Sequence, residues 1–189
     1  PDNFLLIMNA NDSDIYYTID GSDPYIPKES DSTALVDSFT ELHALVPSVE
    51  NGGADLGLEW IDIEEPENLQ EWSYGESGIG YERSGSNYRP FINLDVEEMA
   101  NTNPSVFIRI PFTISNELKI GSISELKLLM RYDDGFVAYL NGVRVASSNA
   151  FQEVFWNSPS NGNRSDSLAI VPEEFDISQY KDLLIDGEN

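Results

Sequence analysis

The sequence predicts an all-β fold, on the evidence of its composition and of short apolar runs separated by turn residues. The chain of 189 residues contains 9 Tyr and 9 Phe, side chains that suit the half-buried surface of a pleated sheet better than a helix. Several apolar runs have the length of strands, and residues typical of tight turns lie between them. A chain of this length can bury a substantial core.

The clearest strand pair is a hairpin in GFVAYLNGVRVAS, residues 135–147. Residues 136–140 and 143–146 are rich in apolar side chains, and only the dipeptide Asn141-Gly142 separates them. A type I′ turn needs a positive φ at both central residues, and Asn-Gly adopts that conformation with little strain. The pattern therefore predicts two antiparallel strands joined by a two-residue turn.

Other segments carry weaker strand signals. The runs 105–114 and 125–133 have the composition of strands, and Pro111 indicates an edge position or a bulge because proline has no N–H to donate. Residues 38–47 are expected to form a strand or a short helix. Pro66 favours a short helical turn or a loop within the acidic stretch around it.

Charge and missing residue types exclude several classes of function. The chain has 34 Asp and Glu against 10 Lys and Arg, a net charge of −24, so nucleic acid and anionic membrane are not expected partners. There is no Cys, and His43 is the only histidine, which excludes disulfides and multi-histidine metal sites. No run approaches the roughly 20 apolar residues of a membrane span. The acidity fits a secreted or cell-surface protein in salty water.

Candidate carbohydrate-binding residues lie in loop-like segments that combine aromatic rings with Arg and amide groups. Sugars bind to the apolar faces of aromatic rings, while nearby polar groups hydrogen-bond their hydroxyls. Two alternatives remain open at this stage. Trp156 is either a lid over the core or an exposed platform. Tyr88 and Arg89 are expected at the start of a strand, where they reach solvent or where Tyr88 packs against its neighbours. The candidates are Trp156, Phe155, Tyr88, Arg89 and Arg164.

The adjacent carboxylates Asp133 and Asp134 precede Gly135, between two predicted strands. These residue types favour a tight turn, which is our first interpretation. Paired acids can also bind Ca²⁺ or serve as acid and base, although nothing nearby completes a loop of the EF-hand kind. We therefore consider Asp133 and Asp134 as candidate metal ligands and expect no catalytic residues.

The N-terminal part contains IYYTIDGSDP, residues 15–24. This stretch resembles the YTxDGSxP signature of the small β-sandwich module found at the C-terminal end of chitobiases and β-hexosaminidases. The resemblance implies a strand and a turn, without catalysis. We interpret residues 1–42 as the end of such a module followed by a linker.

Residues 43–189 contain four motifs in this order: WSYGESGIGYERSGSNYRPFI, VFIRIPFTI, LKLLMRYDDGFVAYLNGVRVASSN and FDISQYKDLLIDGEN. Together they resemble a second module, the galactose-binding-like jelly-roll β-sandwich that occurs as an accessory domain of large secreted bacterial proteins. The resemblance implies that Trp72 anchors the core and that a structural Ca²⁺ is held by loop oxygens. Similar modules continue past the equivalent of DLLIDGEN, so this sandwich is expected to lack its last strands.

These observations together lead to an expected function. The chain is expected to be a non-catalytic accessory module of a secreted multidomain protein, with a polysaccharide or glycan and the other domains of its parent chain as partners. The alternative is a structural or adhesive spacer that has no sugar ligand. A glycan-processing enzyme would need two carboxylates flanking a cleft, and the turn chemistry around Asp133 and Asp134 argues against it.

Overall fold

The computed structural model describes residues 32–83, 85, 88–115 and 118–189. The chain divides into two units, Pro1–Ala34 and Leu35–Asn189. This division lies before the expected boundary at residue 42, because the strand that begins at Glu41 pairs with strands of the larger unit. The strands and turn predicted within residues 4–24, and with them the chitobiase-like motif, lie outside the described residues.

Strands make up most of the regular structure in the described part of the larger unit, as an all-β fold requires. They are β1 (Glu41–Leu45), β2 (Ser73–Glu76), β3 (Ile79–Gly80), β4 (Leu94–Asp95), β5 (Phe107–Arg109), β6 (Thr113–Ile114), β7 (Lys127–Met130), β8 (Phe136–Leu140), β9 (Val143–Ser148), β10 (Glu173–Asp176) and β11 (Gly187–Glu188).

Helical segments are short. The α-helix α1 spans Asp166–Ala169. The 3₁₀ helices span Glu59–Ile61, Leu69–Glu71, Arg89–Phe91, Glu97–Met99, Ile120–Ser122 and Ser178–Leu183. Among the residues that the structure describes, no helix is both long and apolar enough to cross a membrane.

The strands are distributed over several small sheets. A three-stranded antiparallel sheet has the order β2-β1-β5. The other strands form pairs: β7 with β10, β6 with β11 and β8 with β9 are antiparallel, and β3 with β4 is parallel. The jelly-roll arrangement stays a prediction.

The hairpin predicted around Asn141-Gly142 is confirmed. Strands β8 and β9 flank the dipeptide, and φ is 47° at Asn141 and 84° at Gly142. The register shifts between Ala138 and Tyr139, where the ladder is irregular. Strand β9 continues to Ser148, and a long loop follows it from Asn149.

The run 105–114 is divided at its proline. Strand β5 ends at Arg109, β6 begins at Thr113, and Pro111 lies between them, outside both ladders. The helical turn expected near Pro66 forms at Leu69–Glu71. The Leu69 N–H donates to the Pro66 carbonyl at 3.0 Å.

One apolar cluster supports the three-stranded sheet, and Trp72 belongs to it as expected. Its buried members are Leu45, Leu69, Trp72 and Phe107. The rings of Trp60 and Phe107 are stacked with their centroids 4.2 Å apart. Aromatic side chains bury large apolar areas, so this cluster is a main source of stability.

A second aromatic cluster lies against β7, β8 and β10. The ring of Phe136 packs against Tyr132 at 4.9 Å and against Phe175 at 5.1 Å between centroids. Phe175 and Glu173 lie on the same face of β10 because side chains alternate along a strand. A carboxylate therefore faces this cluster, and it needs polar partners there.

Candidate functional site: an anchored aromatic loop

The segment 149–164, which we name the aromatic loop, joins β9 to the residue before α1 and contains neither helix nor strand. Two of its rings face solvent: Phe151 is 45% exposed and Phe155 is 63% exposed. Exposed rings on an irregular segment are of interest because binding residues are often presented by loops that a rigid scaffold positions.

The middle of the aromatic loop is fixed to the apolar core. Trp156 is partly buried and packs against the cluster that contains Trp72 and Phe107. The Ser105 hydroxyl donates to the Ser158 carbonyl at 2.6 Å, and the side-chain amide of buried Asn103 donates to the Trp156 carbonyl at 3.4 Å. Of the two interpretations considered for Trp156, the geometry supports the lid.

The first half of the loop is fixed by an arginine of β9. The Arg144 guanidinium donates to the main-chain carbonyl of Gln152 at 2.8 Å and to that of Phe151 at 3.2 and 3.3 Å. These bonds hold the backbone beside the exposed ring of Phe151, so the ring is attached to an ordered segment.

The two ends of the loop meet at Asp134. The Asn149 side-chain amide donates to the main-chain carbonyl of Asp134 at 2.8 Å, and the Arg164 main-chain N–H donates to the Asp134 carboxylate at 2.9 Å. The Asn161 N–H also donates to the Asn149 carbonyl at 2.8 Å. We name Asp134, Asn149, Asn161 and Arg164 the loop base.

Two glycines allow the loop base to pack closely. A Cβ atom at Gly135 would lie 2.6 Å from the Asn149 carbonyl oxygen, and one at Gly162 would lie 2.8 Å from the Asn149 side-chain oxygen. Both distances are shorter than ordinary van der Waals contact, so any other residue would displace Asn149 or its neighbours.

The side chain of Arg164 is directed into the fold. Its guanidinium donates to the Tyr132 hydroxyl at 2.8 Å and to Glu173 at 2.6 Å, and its Cζ lies 4.1 Å from the centroid of the Tyr132 ring. The hydrogen bond from Tyr132 and the contact with Arg164 lower the pKa of Glu173. Arg164, predicted to bind sugar, is here an anchor of the loop, and only 13% of its side chain is exposed.

Comparisons with known proteins give no relative of this chain. No family model, no curated protein and no solved structure matches the chain.

A cluster of carboxylates adjoins the loop base. The Tyr88 hydroxyl is buried without a hydrogen bond of standard geometry, and burial together with the charges of Asp133 and Asp166 raises the pKa of Tyr88 to about 12. Burial, followed by the charges of Asp134 and Asp166, raises the pKa of Asp133. The structure thus brings together Tyr88, Asp133, Asp134 and Arg164, which the sequence had assigned to separate sites.

Tyr88 and Arg89 do not start a strand, and that expectation is wrong. Tyr88 precedes the 3₁₀ helix Arg89–Phe91, where Pro90 favours a helical turn. Arg89 lies at the surface, and its guanidinium donates to Asp95 at 3.1 Å. The Arg89 side chain is therefore hydrogen-bonded to Asp95 and not to the aromatic loop. Tyr88 belongs to the carboxylate cluster.

Calcium binding by Asp133 and Asp134 stays a prediction. Within the described residues, no three Asp, Glu or His side chains are grouped so that they could hold a metal ion. The Asp134 carboxylate accepts a hydrogen bond from Arg164, and the Asp133 carboxylate lies beside Tyr88. The side chains present do not by themselves supply the 6 to 8 oxygen ligands that calcium takes.

A second surface segment, residues 59–67, begins with the 3₁₀ helix Glu59–Ile61, and we name it the acidic loop. It surrounds a surface depression of about 270 Å³. The Arg109 guanidinium donates to the main-chain carbonyls of Trp60 and Asp62 at 2.7 and 2.6 Å. The depression is lined by Glu59, Asp62, Glu64, Glu65, Pro66 and Glu67.

Sequence reasoning missed the residues that hold the aromatic loop. Asn149 has a φ of 48°, a conformation that asparagine tolerates, and the Asn-rich composition of the segment was the available signal for turns there. The bonds of Asp134 reach residues 15 and 30 positions away, and such pairs leave no local pattern in the sequence. Phe151 was also not among the predicted sugar-binding residues.

Proposed function

We propose that this chain is a non-catalytic accessory module that binds carbohydrate through the aromatic loop. The observation that supports the proposal is the exposure of Phe151 and Phe155 on a segment whose two ends and middle are hydrogen-bonded to the fold. Aromatic faces bind the apolar faces of sugar rings, and an ordered loop loses less conformational entropy when a ligand binds.

Polar side chains beside the two rings are suited to the same ligand. Amide groups donate and accept hydrogen bonds, and a carboxylate accepts them, so these groups can pair with sugar hydroxyls. The exposed polar side chains of the loop are Gln152, Glu153, Asn157, Asn161 and Asn163. The combination of apolar rings and neutral amides favours a neutral polyhydroxylated ligand over an anionic one, given the net charge of −24.

The setting of the module rests on the sequence. The resemblance to accessory domains of secreted bacterial proteins supports a secreted or cell-surface location and a larger parent chain with other domains. The same resemblance supports a structural Ca²⁺, which gives a reason to test binding both with calcium and with a chelator.

A glycan-array screen tests the proposed function. The wild-type chain, Phe151→Ala and Phe155→Ala are compared with Phe39→Ala, a matched control because Phe39 is 74% exposed and lies outside the loop. We expect glycan binding by the wild type and by Phe39→Ala, and its loss in both loop variants without a change in thermal unfolding. Binding that survives in both loop variants, or no binding to any glycan, would contradict the proposal.

The second candidate is a structural or adhesive spacer. The acidic depression favours it, because an array of carboxylates at the surface can be screened or bridged by cations without any sugar ligand. A chain that ignores every glycan but gains thermal stability on addition of Ca²⁺ would support the spacer.

A further inference from the structure

We propose that Asp134 is the residue that holds the two ends of the aromatic loop together, and that it thereby supports the conformation in which Phe151 and Phe155 are presented. Asp134 lies outside the loop, in the turn between β7 and β8, and acts as a positioning residue. The use of the two rings rests on the proposed function, whereas the anchoring of the loop does not.

Asp134 contacts both ends of the loop with different atoms. Its main-chain carbonyl accepts from the Asn149 side chain at 2.8 Å, and its carboxylate accepts from the Arg164 main-chain N–H at 2.9 Å. These partners are the first and last residues of the loop. Holding the two ends of a flexible segment together costs loop-closure entropy, and one residue that bonds both ends offsets that cost.

The neighbours of Asp134 leave the loop base little freedom. Gly135, the next residue, lies so close to the Asn149 carbonyl that a Cβ atom there would be 2.6 Å away. The Arg164 side chain is bonded to Tyr132, two residues before Asp134. The main chain and the side chain of Arg164 are therefore both held by the segment from Tyr132 to Asp134.

The alternative is that Asp134 serves only the turn that joins β7 to β8. Removal of its carboxylate would then disturb the β8–β9 hairpin, which follows the turn directly. The positioning role predicts the opposite distribution: the hairpin stays intact and the loop loses order. Amide hydrogen exchange separates these outcomes residue by residue and needs no ligand.

The decisive pair of variants is Asp134→Ala and Asp134→Asn. An asparagine oxygen can still accept the Arg164 N–H, whereas alanine cannot. In Asp134→Ala we expect the amides of Asn161 and Arg164 to exchange roughly five- to ten-fold faster than in the wild type, as the loss of one net hydrogen bond implies. The amide of Ala146 in β9 is expected to be unchanged, and Asp134→Asn is expected to match the wild type.

Two further variants keep the test informative. Asn149→Gly removes the second bond to Asp134 while keeping a residue that tolerates a positive φ, and we expect the same faster exchange at Asn161 and Arg164. Asp55→Ala removes one negative charge from an exposed position elsewhere and is expected to change neither amide.

Several results would overturn the inference. They are an unchanged exchange rate at Asn161 and Arg164 in Asp134→Ala or in Asn149→Gly, equal acceleration of Ala146, or failure of Asp134→Asn to preserve the wild-type pattern. Failure to find a glycan ligand would instead overturn the proposed function and leave this inference standing.

Discussion

The aromatic loop and the acidic loop are each held by an arginine of a neighbouring strand, Arg144 and Arg109, but the aromatic loop is also held by an arginine of its own, Arg164. Arg109 belongs to β5 and reaches out to main-chain carbonyls of the acidic loop. Arg164 belongs to the aromatic loop and reaches into the fold, where it contacts Tyr132 and Glu173. The acidic loop is thus held through its main-chain carbonyls, whereas the aromatic loop is held both through main-chain carbonyls and through a side chain of its own.

This difference determines which groups remain available at the surface. Arg109 hydrogen-bonds carbonyl oxygens of the acidic loop, and its single charge interacts with Glu65 and Asp62, two of the five carboxylates that line the depression. Because the Arg164 side chain is bonded within the fold and the Arg144 guanidinium bonds main-chain carbonyls, the exposed side chains of the aromatic loop are mainly rings and amides. The charge of the acidic loop therefore attracts cations, although among the described residues no three of its carboxylates are grouped to hold a metal ion, and the aromatic loop is suited to neutral ligands.

The largest loss of stability is expected from a substitution in the apolar cluster that supports both loops. Trp60 of the acidic loop stacks on Phe107, and Trp156 of the aromatic loop packs against the same cluster. Phe107→Ala should lower the free energy of unfolding by about 3–5 kcal/mol, measured by urea denaturation. Ile108→Ala is the matched control, because the next residue of β5 faces the other side and is 36% exposed. Equal losses in the two variants would show that the loops do not depend on this cluster.

A smaller loss is expected when the arginine of the acidic loop is removed. Arg109→Met keeps much of the apolar stem but leaves the carbonyls of Trp60 and Asp62 without their guanidinium donor. Burial lowers the pKa of Arg109, although arginine stays protonated at neutral pH. We expect a loss of about 2 kcal/mol in urea denaturation, together with faster amide exchange in residues 59–63. Unchanged amide exchange in residues 59–63 would show that Arg109 does not hold the acidic loop in its conformation.

The corresponding change in the aromatic loop should cost less. In Arg164→Met, Tyr132 and Glu173 keep their mutual hydrogen bond of 2.6 Å, so neither is left without a partner. The Arg164 main-chain N–H also keeps its bond to Asp134. We expect a loss of about 1 kcal/mol in the same urea measurement, which covers one net hydrogen bond and the contact over the Tyr132 ring. A loss larger than that of Arg109→Met would reverse the comparison.

The two loops also show where sequence reasoning succeeds and where it stops. The Asn141-Gly142 hairpin follows from φ preferences, a local property, and was predicted. The missing N–H of Pro111 predicted an edge position or a bulge, and the structure has a break between two strands there. The bonds from Arg164 to Asp134 and from Ser105 to Ser158 join residues far apart in the chain. Only the folded structure shows that Arg164 faces inward and Phe151 outward.

The smallest expected effect concerns the pH dependence of stability. Two carboxylates at the inner side of the aromatic loop, Asp133 and Glu173, are expected to change it in opposite directions. Burial raises the pKa of Asp133, so its contribution to stability is present below the unfolded pKa of about 3.9 and is lost as the pH rises through the folded value.

The pKa of Glu173 is shifted in the opposite direction. The Tyr132 hydrogen bond lowers its pKa, so its contribution is present above the unfolded pKa of about 4.3 and is lost as the pH falls through the folded value. At pH 7, Asp133→Asn should therefore raise the urea midpoint and Glu173→Gln should lower it. Both differences should shrink as the pH approaches about 4 and below, where the wild-type carboxylates take up protons. Urea midpoints measured from about pH 3 to 7 decide the question, and differences of the same sign in the two variants would contradict the assigned environments.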